Sequence, residues 1–364
     1  MKKNILEVTK DLIKIPSSLN RPEAIQQVFD YAKDFFQDNK KIFLKTYHKN
    51  NKMSLVVSIV DTLTPDVLMI GHLDVVDASP AMFEPREKDG KLFGRGACDM
   101  KSENAVMMCL LDELSELPNP PSVALMLTTD EEVGGKDGVE YLIKDIGYRC
   151  KVALVPDGSS SPEELIIANK GILHLCLSVK GIPAHGSAPW LGENAVEKMF
   201  KAYKKIKEVL PENDEPDNWY TSVNLGVFSG GKTINQVPDS ASCFIDIRFV
   251  ETTNSSSVLD LIKKTVPECS IEVVASGMPC STEFDNEFVE LYCKVVKEKF
   301  NFNPKFGRNC GGHDGRFLSE LGIPVIVTRP ISGDQHSETE WVDIQSLNTF
   351  KEIYREFINN VVKY

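Results

Sequence analysis

The chain has 364 residues, of which 42% are hydrophobic and 26% are charged, and its formal net charge is −12 at pH 7. This composition is that of a soluble globular protein, and the length predicts two domains because it exceeds one ordinary hydrophobic core. The negative charge argues against a non-specific grip on nucleic acid or on an anionic membrane, although a local basic pocket is compatible with it.

The N-terminal stretch and the cysteines bear on the cellular compartment. Glu7, Lys10 and Asp11 interrupt what would have to be the apolar core of a signal peptide, and no apolar run approaches the roughly 20 residues that span a bilayer. The nine cysteines are scattered and never form a C-x-x-C pair. This favours reduced thiols over a disulfide scaffold or a zinc knuckle, so the sequence predicts a cytoplasmic protein.

The first half of the chain alternates short apolar runs with helical patterns. The runs are VLMIG (67–71), VALML (123–127) and VALV (152–155). They are typical of strands that are buried on both faces of a mostly parallel sheet. Between the first two, apolar residues recur at the spacing of an amphipathic helix whose polar start is DMKSEN: Met107, Leu110, Leu111 and Leu114. This organisation is α/β.

From about Leu173 the pattern changes to that of a smaller domain. Its successive segments are LHLCLSVKG, a helix with Val196, Met199, Phe200, Tyr203 and Leu210, then SVNLGVF, ASCFIDIRFV, the helix SSVLDLIKKTV, and SIEVVASG. The order β-α-β-β-α-β is that of a ferredoxin-like domain. A helix near 288–296 and the run IPVIVTRP then return to the first pattern. We therefore expect a mixed, mostly parallel sheet flanked by helices, formed by residues 1–172 and 280–364, with residues 173–279 inserted.

Residues 226–233, GVFSGGKT, fit the G-x-x-x-x-G-K-[ST] pattern of a phosphate-binding loop. Such a loop needs a helix directly after it, because the phosphate binds at the helix N-terminus. Here INQVPDS and a predicted strand follow, and Pro238 argues against a helix. The segment is better interpreted as the turn of a hairpin.

Acidic residues and histidines follow each predicted buried strand. They are His72 and Asp74 after the first, Asp130, Glu131 and Glu132 after the second, Asp157 after the third, and His336 and Glu340 after the last. In open α/β sheets ligands bind outside the carboxyl ends of the strands, so these groups should converge on one crevice. Asp99, at the start of the predicted helix, can join them. Two imidazoles and several carboxylates in one place form a metal-binding set.

Each cluster also has a simpler interpretation when it is taken alone. His-x-Asp is most often a surface turn, a run of acids a solvated loop, and Asp99 a helix N-cap. Four clusters at four strand ends are harder to dismiss. Crowded carboxylates would repel one another unless a cation neutralised them, and two divalent ions would also activate water for hydrolysis. The neighbours Glu131 and Glu132 suit a division between general base and metal ligand.

Several spaced motifs together carry a family resemblance. In chain order they are GHLDVV, GRGACDMK, TTDEEVGG, VPDG, PAHGSAP, GGKTINQVPDSA, IDIRF and HSETEWV. They resemble the dinuclear zinc hydrolase family that contains succinyl-diaminopimelate desuccinylase, acetylornithine deacetylase, aminoacylases and glutamate-releasing carboxypeptidases. The resemblance runs from about Ile5 to the C-terminus. It implies a zinc-peptidase-like catalytic domain with an inserted lid or dimerisation domain.

The resemblance also implies roles for the residues of the crevice. The implied metal ligands are His72 and Asp157 for the first ion, Glu132 and His336 for the second, and Asp99 as the bridge. Glu131 would be the general base, and Asp74 would orient His72. Glu340 would support the His336 loop, with a plain surface glutamate as the alternative.

In the inserted domain the resemblance gives PAHGSAP the role of a histidine loop. His185 would reach the active site of the partner subunit and stabilise the oxyanion. Asn235 and Arg248 would receive the carbonyl and the carboxylate of the substrate, for which the fork of an arginine is suited. A loop histidine and a strand-surface arginine are the alternatives.

Two features depart from the desuccinylase pattern. CGGHDGRF (310–317) resembles the glycine-rich substrate loop, which implies substrate contacts from Gly311, Gly312 and His313. This loop is one residue shorter than its desuccinylase counterpart and has His313 where small hydroxyl residues are expected. Asp157 stands where many deacylases of the family have glutamate, a choice seen in the dipeptidase-like and carboxypeptidase-like members.

The sequence thus predicts a metal-dependent hydrolase of an amide bond adjacent to a free carboxylate. An N-acyl amino acid deacylase of the desuccinylase or deacetylase type is the main hypothesis, and a carboxypeptidase or dipeptidase is the alternative. We expect two divalent ions per chain, Zn²⁺ with Co²⁺ or Mn²⁺ as alternatives, and a homodimer through the inserted domain. Other classes still open are a non-catalytic binding relative, a cysteine hydrolase using Cys98 or Cys310, and a phosphate-loop enzyme.

Overall fold

The computed structural model describes residues 3–212 and 219–362. The chain divides into two compact units. The first comprises Met1–Ile167, Ser281–Asn309 and His313–Tyr364, and the second comprises Ala168–Cys280 and Cys310–Gly312. Within the described residues, no helix is both long and apolar enough to cross a membrane. The roles of catalytic domain and of lid or dimerisation domain remain predictions.

The described residues form α-helices and β-strands in both units. The helices are α1 (Ile5–Ile13), α2 (Pro22–Phe36), α3 (Lys101–Ser115), α4 (Val139–Tyr141), α5 (Ala195–Val209), α6 (Ser255–Thr265), α7 (Glu287–Phe300), α8 (Arg316–Ser319) and α9 (Ile344–Val361). The strands are β1 (Phe43–Lys49), β2 (Lys52–Ser58), β3 (Val67–His72), β4 (Arg86–Lys88), β5 (Lys91–Phe93), β6 (Val123–Thr128), β7 (Val152–Leu154), β8 (Glu164–Asn169), β9 (Gly171–Lys180), β10 (Ser222–Gly230), β11 (Ser240–Phe249), β12 (Ser270–Gly277), β13 (Cys280–Ser281), β14 (Lys305–Asn309), β15 (Val325–Ile326), β16 (Ser332–Gly333) and β17 (Trp341–Asp343).

Six strands of the first unit form one mixed sheet in the order β1-β2-β6-β3-β7-β15. β6, β3, β7 and β15 are parallel to one another, whereas β2 is antiparallel to both of its neighbours. β3 and β6 are buried along their whole length, which explains why the sequence shows them as unbroken apolar runs. The predicted mixed, mostly parallel sheet is confirmed.

Helix α3 differs from its prediction in one respect. The spacing of its apolar residues predicts an amphipathic helix, but its polar N-terminal positions are buried as well, namely Lys101, Ser102, Glu103 and Asn104. The helix packs against α1, α9, β3 and β6, so its polar groups need partners inside the protein. Lys101 Nζ donates to the carbonyl of Ile15 at 2.6 Å, and Asn104 Nδ2 donates to the carbonyl of His72 at 2.5 Å. The helix thereby supports the residue that ends β3.

The second unit contains an antiparallel sheet in the order β10-β11-β9-β12. Alternate residues of β9 face a core that is shared with α5 and α6, namely Leu173, Leu175, Leu177 and Val179. A sheet that is covered by helices on one face produces this period-two burial. The predicted β-α-β-β-α-β order of a ferredoxin-like domain is confirmed.

Residues 226–233 do not form a phosphate-binding loop. They belong to β10 and to the connection that leads to β11, and no helix intervenes between these described strands. β10 and β11 pair antiparallel from Ser222↔Arg248 to Gly230↔Ala241. The two strands are consecutive and antiparallel, as a hairpin requires, but residues 226–230 lie in β10 itself and the connection runs through residues 231–239. The segment lacks the helix N-terminus at which phosphate would bind.

Candidate metal centre

The parallel strands bring the predicted ligands to one edge of the main sheet. His72 is the last residue of β3, Glu131 and Glu132 follow β6, and Asp157 follows β7. Because these strands run parallel, their carboxyl ends meet at the same edge. Asp99 lies just before α3 and joins the residues at this edge.

Asp99 is shared by two groups of potential ligand atoms. One group is His72, Asp99 and Asp157, and the other is Asp99, Glu132 and His336; within each group the ligand atoms lie within 4.8 Å of one another. Nε2 of His72 lies 3.0 Å from Oδ1 of Asp99, and Nε2 of His336 lies 2.9 Å from Oδ2. One carboxylate oxygen of Asp99 therefore faces each group, as a bridging ligand requires.

The main chain of Asp74 fixes the ring of His72. Nδ1 of His72 lies 2.8 Å from the carbonyl oxygen of Asp74, and a carbonyl can only accept, so Nδ1 carries a proton and Nε2 is the nitrogen that faces Asp99. The Asp74 carboxylate instead accepts from the N–H groups of Glu131 at 3.4 Å and Glu132 at 3.1 Å. The carboxylate also lies near the ring, with its Oδ1 3.7 Å from Nδ1 of His72, so its role in orienting His72 stays a prediction.

The carboxylates of the centre are crowded and largely buried. Burial, and then the negative charge of Asp99, raises the pKa of Asp157 to about 6. Burial also raises the pKa of Glu131 well above its ordinary value. A bound cation would favour the charged forms and remove this penalty. Imidazole nitrogens and carboxylate oxygens suit Zn²⁺, Co²⁺ or Mn²⁺, so the residues present fit a pair of divalent cations.

The adjacent glutamates Glu131 and Glu132 have different surroundings. Oε1 of Glu132 lies 3.6 Å from Nε2 of His336 and accepts from the N–H of Val76 at 3.1 Å. Glu131 belongs to neither ligand group of the described residues. Its carboxyl interacts electrostatically with His72. This difference fits one metal ligand next to one general base.

Glu340 is completely buried, so the alternative of a surface glutamate is wrong. Its Oε1 accepts hydrogen bonds at 2.9, 2.8 and 3.1 Å from three N–H groups of the segment before α3, those of Gly96, Cys98 and Asp99. Its Oε2 accepts from Arg95, which also donates to the carbonyl of His336 at 3.1 Å. Glu340 therefore holds the loop of Asp99 directly and the predicted His336 loop through Arg95.

The second unit brings two of its predicted site residues together. Gly186, which follows His185, donates its N–H to the carbonyl of Asn235 at 2.7 Å, and His185 pairs with Gln236. Arg248 is placed differently from the expectation of a fork that is open to substrate. Its Nε and Nη2 contact the two carboxylate oxygens of Asp246 at 2.9 and 3.3 Å.

The glycine-rich loop divides between the two units, with Gly311 and Gly312 in the second and His313 in the first. Gly311 accepts at its carbonyl from Nδ2 of Asn169 at 2.8 Å. The His313 side chain is buried, and burial lowers its pKa to about 3. Its Nδ1 accepts from the N–H of Gly315 at 3.1 Å. His313 is therefore better interpreted as a neutral imidazole that shapes the loop than as a ring that contacts substrate.

Cys98 lacks the properties of a nucleophile. It is buried, and burial raises the pKa of its thiol to about 12. A nucleophilic cysteine needs thiolate character and access, and this residue has neither. The structure therefore argues against the cysteine-hydrolase alternative at this position.

Sequence reasoning missed three buried charged residues around the centre, which are Arg95, Asp314 and Arg329. Arg95 contacts Glu340, Arg329 contacts Asp157, and the charge of Asp314 acts on Glu131. The available signal was a charged residue in an otherwise apolar or glycine-rich context, as in FGRGA and VIVTRP. Charged side chains are rarely fully buried unless they are paired, so each needed a partner.

Comparison with known proteins agrees with this geometry. Succinyl-diaminopimelate desuccinylase of Rickettsia akari is 25% identical over 384 residues, which cover 97% of this chain and 98% of that protein. The probable succinyl-diaminopimelate desuccinylase of Staphylococcus epidermidis is 29% identical over 330 residues, which cover 80% of each. A metallo-carboxypeptidase of the M20 family from Sulfolobus solfataricus shares the fold, with a TM-score of 0.79, 18% identity and 100% coverage of both chains.

Residues 68–360 match the family described as peptidase family M20/M25/M40. This match spans most of the three segments that form the first unit and all of the second unit. It confirms the resemblance that the spaced motifs indicated, together with the expectation of an enzyme that cleaves amide bonds. The chain therefore belongs to peptidase family M20/M25/M40 and is a metallohydrolase.

Proposed function

We propose that this chain uses two divalent metal ions to hydrolyse the amide bond of an N-acyl amino acid, next to its free carboxylate. The observation that carries the proposal is the sharing of Asp99 between two ligand groups, with Glu131 outside both. The names of the two desuccinylase relatives support a deacylase of that type. Cleavage of short peptides is the second candidate, because Asp157 is the residue that dipeptidase-like and carboxypeptidase-like members have at this position.

The residues of the first unit supply the proton transfers and the metal ligands. When bound, the ions would polarise the amide carbonyl and make water more acidic. Glu131, whose pKa is raised by burial, would accept a proton from water and return it to the leaving amine. Asp74 would hold Glu131 in place through the 3.4 Å contact between its carboxylate and the N–H of Glu131.

We assign the recognition of the substrate to the second unit. Nδ1 of His185 accepts from the N–H of Ser187 at 3.2 Å, which leaves Nε2 as the N–H donor of the ring. That N–H would donate to the carbonyl oxygen as negative charge develops on it. Asn235 would bind the same end of the substrate, and the fork of Arg248 would bind the free carboxylate in place of Asp246.

We also propose Zn²⁺ as the native ion, a homodimer through the second unit and a cytoplasmic location. Imidazole ligands support zinc, and no disulfide joins any of the nine cysteines. In the dimer, His185 of one subunit would serve the site of the other. Mixing inactive Glu131→Gln subunits with inactive His185→Ala subunits should then restore part of the activity. No recovery after demonstrated subunit exchange would show that His185 does not act across the dimer.

A substrate panel tests the proposed reaction. The zinc-loaded protein is incubated with N-succinyl amino acids, N-acetyl amino acids and dipeptides, and free amine is quantified. We expect turnover of an N-acyl amino acid above all dipeptides, and its loss in Glu131→Gln. Preference for a dipeptide would favour the second candidate. Turnover of no panel member by a fully loaded protein would contradict both.

A further inference from the structure

Arg329 lies opposite the metal ligand Asp157 because of strand register. β15 and β7 pair in parallel, with Val325 next to Ala153 and Ile326 next to Leu154. The pairing ends there, and Arg329 and Asp157 each lie three residues further along their segments. The two side chains do meet there, since Nη2 of Arg329 donates to Oδ1 of Asp157 at 3.0 Å.

The same guanidinium reaches the segment of the bridging ligand. Nη1 of Arg329 donates to the carbonyl of Cys98 at 3.2 Å and to its Sγ at 2.9 Å. Cys98 directly precedes Asp99. The main-chain N–H of Arg329 donates to Oγ of Ser159 at 2.8 Å, two residues after Asp157. One residue thus connects the segments of two of the three ligands in the first group.

The burial of the Arg329 guanidinium is energetically unfavourable unless other interactions compensate for it. Arg329 is only 1% exposed, and the desolvation of a buried charge is unfavourable unless paired groups offset it. Asp157, Glu103 and Asp99 interact electrostatically with it. Its position matches that of the outer hydrogen-bond partners that orient metal ligands and support metal affinity.

Loss of the Arg329 side chain should change the metal affinity of the two ligand groups to different extents. Arg329 donates directly to Asp157, which belongs only to the group with His72. Its contact on the other side is a longer one of 3.4 Å to Oε1 of Gln335, whose Nε2 donates to Oδ2 of Asp99 at 2.7 Å. Among the described residues, the guanidinium hydrogen-bonds to neither Glu132 nor His336. Loss of the side chain should therefore weaken the first group more than the second.

We propose that Arg329 is a positioning residue of the metal centre, which ties Asp157 to the Cys98–Asp99 segment and sets the affinity of the first ligand group for its ion. This inference rests on the proposed two-ion function. Arg329 touches neither substrate nor reacting atoms in it. Its guanidinium fork holds two segments at once, which a shorter amide cannot do.

The test is zinc binding, measured separately from turnover. Chelator-stripped wild type, Arg329→Gln and Arg329→Lys are dialysed against buffers of graded free Zn²⁺, and bound zinc is determined by elemental analysis. We expect two ions per wild-type chain. In Arg329→Gln one ion should bind about 10- to 100-fold more weakly and the other as in the wild type. Arg329→Lys, which keeps the charge and a donor, should fall between.

Control variants distinguish the loss of support for the metal ligands from misfolding, and they identify the ligand group whose metal affinity changes. Arg355→Gln removes another partly buried arginine that pairs with glutamates far along the chain from the ligands, and its zinc binding should equal that of the wild type. Glu132→Gln should weaken the other ion, so Arg329→Gln combined with Glu132→Gln should weaken both. If metal-free Arg329→Gln fails to give the circular dichroism of the folded protein, Arg329→Lys alone decides, with one weakened ion expected.

The outcomes distinguish this inference from the proposed function. Two ions in the wild type with unchanged binding in both Arg329 variants would overturn the role of Arg329 alone. Equal weakening of both ions would also overturn it, because the proposed effect is specific to one group. No zinc bound by the wild type would overturn the proposed function and this inference with it.

Discussion

Replacing Glu340 by glutamine should destabilise the first unit because it removes one partner of a buried ion pair. Glu340 is completely buried, and it neutralises Arg95 while it accepts three main-chain hydrogen bonds. Removal of one partner of a buried pair costs about 3–5 kcal/mol in the free energy of unfolding. Glutamine retains one oxygen that can accept from the main chain, so we expect the lower end, about 3 kcal/mol.

Urea unfolding of the metal-free protein, followed by circular dichroism, measures this change. Glu338→Gln is the matched control, since Glu338 is exposed and accepts hydrogen bonds from Ser79; its unfolding midpoint should equal that of the wild type. A loss of less than about 1 kcal/mol in Glu340→Gln, the net value of one ordinary hydrogen bond, would refute the reasoning. It would mean that the loop of Asp99 does not depend on the buried carboxylate.

Three further predictions concern the site. Glu131→Gln should retain both ions yet lose about 10²- to 10⁴-fold in kcat, the contribution of general base catalysis, as steady-state assays with zinc analysis would show. Removing the ions with a chelator should abolish turnover and lower the thermal midpoint, because ions at 100 times their Kd stabilise a fold by about 2.7 kcal/mol; an unchanged midpoint would contradict a buried centre. Asp246→Asn should lower KM by up to about fivefold, because the half-exposed pair with Arg248 that competes for the substrate carboxylate is worth at most about 1 kcal/mol. A raised KM would instead show that Asp246 helps to position Arg248.

The sequence predicts the main features of the metal centre because they depend on topology. The parallel strands are nearly all apolar, and the carboxyl ends of such strands meet at one edge. His72 and Asp157 could therefore be placed near each other from their position after apolar runs alone. The resemblance then assigned Asp99 as the shared ligand, and the structure places its two oxygens toward the two groups.

The parts that the sequence did not predict depend on contacts between distant segments. The resemblance implied that Glu340 supports the His336 loop, but nothing local predicted its hydrogen bonds with three N–H groups of the segment before α3. The polar start of α3 looks exposed by periodicity, yet Lys101, Ser102, Glu103 and Asn104 are all buried. The hydrogen bond between Arg329 and Asp157 depends on the pairing of β7 with β15, which the sequence does not reveal. Local patterns carry no information on these pairings.

The shared-ligand centre is tested most directly by the zinc content of the chelator-stripped protein after reloading and dialysis, measured by elemental analysis beside Asp99→Asn. We expect two ions per chain in the wild type. Asp99→Asn should lose most of this zinc, because its side chain serves both ligand groups. One ion in the wild type, or two ions in Asp99→Asn at unchanged affinity, would contradict a centre in which Asp99 joins two metal sites.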